Sequence, residues 1–208
     1  MKLPLLCTAM ALCLISCKEQ TKILNSGNDT VATTDTTTSK PLDSIQMRDA
    51  WIKYATPGEQ HKMLTDEAGT WDVEMAFFTE DGKEQKGTAV ADIKMVLGGR
   101  YQQSVYKGTM DNMPFEGIST VAFNNTTGEF TSTWADNLGT GLMVLTGPYD
   151  EINKTITFKG TMADPYDGKK ISVRQVYTFV NDNSRKMELF DTKDGKERKS
   201  LEMVMTRV

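Results

Sequence analysis

Residues 69–78 read GTWDVEMAFF, and in this stretch apolar side chains alternate with polar ones. A period of two is typical of a β-strand with one buried face. The side chains on the expected buried face are Trp71, Val73, Met75 and Phe77. The Asp81-Gly82 pair that follows favours a tight turn between antiparallel strands. We therefore expect an antiparallel sheet to begin at Gly69.

Alternation of the same kind continues to the C-terminus, with turns rich in Gly, Asn and Asp between the runs. The further strand-like runs are 88–97, 100–107, 115–123, 129–135, 142–149, 155–162, 171–180, 186–191 and 200–207. Closing such a sheet on itself removes its unpaired edges. The sequence predicts an all-β fold, an antiparallel barrel of about ten strands.

One or two short helices are predicted ahead of the sheet. Ile45, Trp51 and Ile52 are spaced roughly as one apolar helical face requires. Thr56-Pro57-Gly58-Glu59 is a helix start, because it combines a capping Thr with Pro at the first helical position. We expect these helices to cap one mouth of the barrel, in a folded domain that spans residues 45–208.

Residues 1–16 have the layout of an export signal, with Lys2, an apolar run and a small residue before Cys17. The run is shorter than the roughly 20 residues of a membrane-spanning helix. The ending Leu14-Ile15-Ser16-Cys17 resembles a bacterial lipobox. That resemblance implies that Cys17 is lipidated and becomes the first residue of the mature chain. The alternative is an ordinary secreted protein in which Cys17 stands there by chance.

Residues 17–44 are predicted to form a flexible tether, since they are rich in Thr and contain no aromatic residue. Its typical reach is about 25–30 Å. The triplets that resemble Asp-Ser/Thr-apolar O-glycosylation sites of Bacteroidota are Asp29-Thr30-Val31, Asp35-Thr36-Thr37 and Asp43-Ser44-Ile45. Thr-rich sequence also produces this pattern by chance, so both interpretations stand.

The formal net charge of −4 offers no basic footprint for nucleic acid or for an anionic membrane surface. Membrane attachment would therefore come from lipid. Lys18 stands where an Asp can signal inner-membrane retention, which favours the outer membrane. We expect a lipid-anchored protein of the cell envelope, on the periplasmic face or at the cell surface.

Few residues with catalytic chemistry are available beyond the N-terminus. The cysteines are Cys7, Cys13 and Cys17, so the folded part has no disulfide, Cys-based metal site or thiol nucleophile. His61 is the only histidine, and it reads as an exposed or capping helix residue. We predict no cofactor and no metal. An enzyme would have to rely on Asp, Glu or Tyr as acid or base.

Gly69-Thr70-Trp71 resembles the Gly-x-Trp opening of lipocalin-like barrels, in which the Trp packs across the closed end. From about residue 57 to the C-terminus the chain also resembles the uncharacterised bacterial family named domain of unknown function (DUF) fifteen-seventy-nine. The segments that carry this likeness are 59–62, 69–71, 97–101, 114–117, 132–134, 164–165, 168–169, 194–197 and 205–207. Phe123-Asn124-Asn125 and Met205 depart from the family pattern and weaken a tyrosine-dependent site. The resemblance implies a lipocalin-like barrel without an assigned activity.

Large apolar side chains would line the barrel, and alternation places Gln103, Ser132, Thr146 and Gln175 among them. Such a lining is typical of small-molecule pockets, although small barrels can also fill themselves with side chains. At the mouth, Arg100 or Arg174 could fix a carboxylate or phosphate. The alternative for each arginine is an outward-facing or salt-bridged residue. The candidate ligand-binding residues are Trp71, Arg100, Tyr101, Gln103, Phe115, Trp134, Arg174 and Tyr177.

Three functions are compatible with these features. The first is an envelope lipoprotein whose barrel binds or carries a small hydrophobic or amphipathic ligand. The second is a structural or protein-interaction barrel with a filled core and no ligand. The third, ranked last, is a hydrolase-type enzyme that uses Asp, Glu or Tyr.

Overall fold

The computed structural model describes residues 41–208, which comprise two short helices and eleven strands. The helices are α1 (Ser44–Ala55) and α2 (Glu59–Thr65). The strands are β1 (Gly69–Phe78), β2 (Glu84–Val96), β3 (Tyr101–Met110), β4 (Met113–Asn124), β5 (Glu129–Asp136), β6 (Met143–Gly147), β7 (Tyr149–Asp150), β8 (Thr155–Ala163), β9 (Lys170–Asn181), β10 (Ser184–Lys193) and β11 (Lys196–Arg207). Neither helix of this part of the chain is long and apolar enough to cross a membrane.

Ten of the strands close into an antiparallel barrel, as the alternation predicts. Each strand from β1 to β5 pairs with the next, each strand from β8 to β10 does the same, and β11 pairs with β1. Pairing between β6 and β8 completes the ring, and the two-residue β7 adds only to β8. No strand of the barrel is therefore left with a long unpaired edge.

The side chains of β1 alternate as its sequence requires. Trp71, Val73 and Met75 are buried, whereas Asp72 and Glu74 face solvent. Burial of such side chains removes apolar area from water and contributes about 25 cal/mol per Å². The inward-facing residues of the other strands extend this interior into two apolar clusters, one centred on Trp71 and one on Phe130.

The prediction of which side chains face the interior is wrong for β3 and β6. Gln103 pairs with the exposed Lys94 on the outer face, and the inward residues of β3 are Gln102, Ser104 and Tyr106. The buried residues of β6 are likewise Leu145 and Gly147, so Thr146 points outward. Pairing fixes the parity, because a shift by one residue moves every side chain of a strand to the other face.

Helix α2 closes the end of the barrel at which β1 begins. Leu64 is 1% exposed there, and His61 is also buried. The Nδ1 atom of His61 accepts a hydrogen bond from the Gly58 amide (3.1 Å), which confirms its capping role but not its expected exposure. Burial, and then the positive charge of Arg100, lower the pKa of His61 below its ordinary value.

Helix α1 does not cap the barrel, contrary to expectation. It buries no residue, and its apolar side chains, including Trp51, are exposed. Asp43 caps its N-terminus by accepting the amides of Ile45 and Gln46, so the chain is already ordered within the predicted tether. The C-terminus of α1 is held at the closed end, where Asn125 donates to backbone carbonyls of residues 53, 54 and 56.

Candidate ligand-binding site

The barrel interior holds a cavity of about 800 Å³. All ten barrel strands and the segment between α2 and β1 contribute to its lining. A volume of this size lies within the range of about 300–1,000 Å³ that small-molecule sites occupy. The interior is therefore not filled by its own side chains, as a barrel with a packed core would require.

The cavity has a closed floor and an open mouth. Leu64 of α2 and Glu67, which follows the helix, form the floor at the end where β1 begins. The mouth lies at the opposite end, where the loop 138–142 between β5 and β6 and the residues Met162, Ala163 and Pro165 surround the opening. Leu138 and Leu142 of this rim are largely exposed, so apolar surface leads from solvent into the cavity.

A buried ionic network lies at the floor. Glu67 is 2% exposed, and its Oε1 accepts from Nε of Arg185 (2.6 Å) and from the Tyr177 hydroxyl (2.9 Å). Its Oε2 accepts from Nε2 of Gln102 (3.1 Å), which also donates to the Leu64 carbonyl. Burial, and next the charge of Glu67, raise the pKa of the Tyr177 hydroxyl. Hydrogen bonds and an opposite charge offset the cost of burying a carboxylate.

Trp71 supports this floor from below, as the Gly-x-Trp resemblance implies. It is fully buried, and its Nε1 donates to the backbone carbonyl of Glu67 (2.9 Å). The guanidinium groups of Arg207 and Arg185 lie 4.3 and 5.2 Å from its ring centroid, within the range of cation–π contact. Arg207 also donates to the carbonyls of Asp66 and Ala68, which ties the last strand to the end of α2.

An aromatic group forms one wall of the cavity. The ring of Trp134 lies 5.1 Å from that of Tyr106 and 6.3 Å from that of Phe115, measured between centroids. Its Nε1 donates to Oδ2 of Asp136 (2.6 Å) at the rim. The rest of the wall is rich in methionine, which adapts its shape to irregular apolar ligands. The lining methionines are Met75, Met143, Met162, Met187, Met203 and Met205.

Uncharged polar groups interrupt this apolar lining. Ser104 and Ser119 are directly opposite on β3 and β4, and Ser132 follows on β5. Gln175 lies on β9, five strands away from β3 around the ring. Within residues 41–208, the side chains of Ser119, Ser132 and Gln175 donate and accept no hydrogen bond to another residue. Buried polar groups are normally paired, so these are available to water or to a ligand.

The structure brings only part of the predicted set together. Phe115, Trp134 and Tyr177 line the cavity, and Trp71 lies beneath its floor. Tyr101, the first residue of β3, is more than one-third exposed at the closed end and, like Gln103, does not line the cavity. A ligand-binding role for any of these residues stays a prediction.

Neither predicted arginine reaches the cavity. Arg100 lies at the closed end and donates to the Ala55 carbonyl (2.8 Å), which fixes the C-terminus of α1. Arg174 makes two hydrogen bonds to Glu197 (2.9 and 2.7 Å) on the outer face and stacks on Phe190. In the structure Arg174 is thus an outward-facing residue paired with Glu197.

Sequence reasoning missed Glu67 and two of its partners, Arg185 and Gln102, although it included Tyr177. Glu67 stands between a helix and a glycine, where an acidic residue is usually solvated. Arg185 lies near the start of β10, and nothing in the sequence links it to a residue more than one hundred positions earlier. Only the closed topology brings the two charges together. Across residues 41–208, no group of three His, Cys, Asp or Glu side chains is placed to hold a metal ion.

The closed barrel, the helix beneath it and the internal cavity define a lipocalin-like β-barrel protein. The chain belongs to the family described as protein of unknown function (DUF1579), whose sequence profile matches residues 56–207. The likeness seen in the sequence is confirmed. No curated protein matches the chain.

Solved structures that match the chain include three of low sequence identity. The S-type phycobiliprotein lyase CPES from Guillardia theta has a TM-score of 0.53 at 10% identity, over 76% of this chain and 96% of that one. A redesigned β-barrel has a TM-score of 0.35 at 17% identity, over 70% and 94%. A protein of the DUF3598 family from Nostoc punctiforme has a TM-score of 0.22 at 8% identity, over 73% and 100%. The likeness to the lyase shows a shared fold alone.

Proposed function

We propose that this protein binds or carries a small hydrophobic or amphipathic molecule in its barrel. The observation that carries the proposal is the open cavity of about 800 Å³, because a barrel that served only as a scaffold would gain stability by filling it. The apolar and methionine-rich lining suits a ligand that is poorly soluble in water. The unpaired Ser119, Ser132 and Gln175 side chains would orient it.

A binding assay tests this proposal. The full chain with Cys17→Ala, prepared without detergent, is titrated with the fluorescent apolar probe N-phenyl-1-naphthylamine. Ser119→Phe places a ring in the cavity and is expected to weaken probe binding about tenfold or more, which corresponds to about 1.4 kcal/mol. Ile118→Phe adds a ring to the exposed face of the same strand and should leave binding unchanged.

Two outcomes would contradict the proposal. The first is that the parent chain does not increase the emission of the probe at any concentration. The second is that the Ser119 and Ile118 variants, both shown to be folded by circular dichroism, bind the probe equally well. The latter result would place the probe on the outer surface rather than in the cavity.

We further propose that the protein is exported and anchored in the cell envelope through lipid on Cys17. The support comes from the sequence of residues 1–17, which lie outside the described residues. More than one acyl chain gives stable membrane anchoring. Cys17→Ala should move the protein from the membrane to the soluble fraction of its host. Unchanged fractionation would refute the anchor without touching the binding proposal.

A further inference from the structure

Among residues 41–208, the lining of the cavity includes no positively charged side chain. Among the described residues, none that lines it is Lys, Arg or His, whereas Glu67 and Asp136 are both acidic. The two carboxylates lie at opposite ends, with Glu67 at the floor and Asp136 at the rim. A ligand with a negative charge would therefore find no lining cation to pair with, and at the rim it would meet the like charge of Asp136.

The cation behind the floor is already engaged. Arg185 lies behind the floor, where Nε donates to Glu67 and a terminal nitrogen donates to the carbonyls of Asn181 and Ser184. Its charge compensates that of Glu67, and it does not line the cavity. The Glu67–Arg185 pair is therefore neutral overall, and Arg185 is not available to pair with a ligand.

Asp136 is fixed in position at the rim. Its Oδ2 accepts from Nε1 of Trp134 (2.6 Å), and its Oδ1 accepts from the Leu138 amide (3.0 Å). These bonds hold the carboxylate beside the route that a ligand must take. The charge would repel an entering anion, and hydrogen bonding to the indole leaves the carboxylate little freedom to turn away.

The groups that are free inside the cavity carry no charge. Hydroxyls of Ser119 and Ser132 and the amide of Gln175 each donate and accept hydrogen bonds. They lie on different walls, since β4 and β5 are separated from β9 by β6 and β8. Together they suit a hydroxyl or carbonyl group on an otherwise apolar molecule.

We infer that the cavity selects an uncharged lipid, an elongated apolar molecule with a hydroxyl or carbonyl group, and rejects the anion of a fatty acid. This inference rests on the proposed function, because it names the ligand class of the same site. The physical reason is desolvation: an anion transferred into this cavity loses its water and gains no cation in exchange.

A competition assay tests the inference with ligands of one chain length. Dodecanol, methyl dodecanoate, dodecanoate and dodecylamine each displace N-phenyl-1-naphthylamine from the full chain with Cys17→Ala, at about pH 8, where the acid is ionised. The alcohol and the ester are expected to displace the probe at concentrations about tenfold or more below that of dodecanoate. Equal displacement by dodecanoate would overturn the inference while leaving ligand binding intact.

Dodecylamine distinguishes a preference for uncharged ligands from an attraction of cationic ligands to Asp136. Displacement by dodecylamine at a lower concentration than by dodecanol would overturn the inference in favour of a cationic ligand. Absence of probe binding by the parent chain would instead contradict the proposed function itself. The two failures are distinguishable because the probe carries no charge, so its binding reports on the cavity itself and does not depend on selection by charge.

Variants at the two ends of β5 provide the matched control. Asp136→Lys places a cation at the rim. The ratio of the dodecanoate concentration to the dodecanol concentration that displaces the probe should then fall by about tenfold. Asp136→Asn keeps an acceptor for Trp134 and should lower this ratio less. Glu129→Lys makes the same charge change at the far, exposed end of the strand and should leave the ratio as it was. An equal effect of both lysine variants would attribute selection to net charge alone.

Discussion

Removal of the Arg185 guanidinium by Arg185→Met should destabilise the protein strongly. Arg185 and Glu67 are both almost completely buried and lie 2.6 Å apart. Without the arginine, Glu67 would keep only Tyr177 and Gln102 as donors. A buried pair that loses one partner costs about 3–5 kcal/mol, since the remaining charge is left desolvated. The melting temperature of a domain this size would fall by about 6–20 °C.

The chain offers a matched control in Arg174→Met. Arg174 also pairs with a glutamate, and its shortest contact to Glu197 is 2.7 Å, but both side chains are partly exposed. Exposed pairs contribute about 0–1 kcal/mol even where the geometry is good. Burial is thus the main difference between the two arginines, and the free energy of unfolding in urea should separate them by about 2 kcal/mol or more.

A double variant tests the cause of the loss. Glu67→Leu combined with Arg185→Met removes both charges, and it should be more stable than Arg185→Met alone. Urea unfolding followed by circular dichroism gives the free energies of unfolding of the parent chain, of Arg185→Met, of Glu67→Leu and of the double variant. The reasoning would be refuted if Arg185→Met and Arg174→Met cost the same, or if the double variant lost the full sum of the single losses.

Two further predictions concern the closed end and the cavity wall. Burial lowers the pKa of His61 in the folded protein, so the unfolded chain binds a proton at a higher pH than the folded chain does. The free energy of unfolding should therefore decrease as the pH falls below about 6.5. Urea unfolding of His61→Gln should no longer show this decrease. At Gly117 an added methyl group would lie 2.7 Å from the Trp134 ring, so Gly117→Ala should displace the indole. We expect a shift of the Trp134 fluorescence and a loss of about 1–3 kcal/mol in the free energy of unfolding.

The strands could be predicted because each has one buried face. In β1 the alternation from Trp71 to Phe77 matches the observed burial almost residue by residue. Parity failed where the sequence has no clear alternation. Around Tyr101 and Gln103 the aromatic ring suggested an inward face, whereas hydrogen bonds to Leu64 and Glu67 draw the neighbouring Gln102 inward instead.

The candidate site was predicted in part for the same reason. Phe115 and Trp134 could be assigned to the interior from their size, since large aromatic side chains dominate such cores. The ionic floor could not, because Glu67 and Arg185 meet only after the barrel closes. Helix α1 shows a further limit, since the spacing of Ile45 and Trp51 indicates an apolar face but not whether anything covers it.

Helix α1 and the mouth of the cavity lie at opposite ends of the barrel. Helix α1 joins at the end that α2 closes, whereas the cavity opens past residues 138–142 at the other. The ten residues of β1 separate these ends by roughly 33 Å along the strand. Within residues 41–208, helix α1 therefore lies at the end opposite the cavity mouth. A ligand bound as we propose would enter and leave past residues 138–142, and α1 would not have to move.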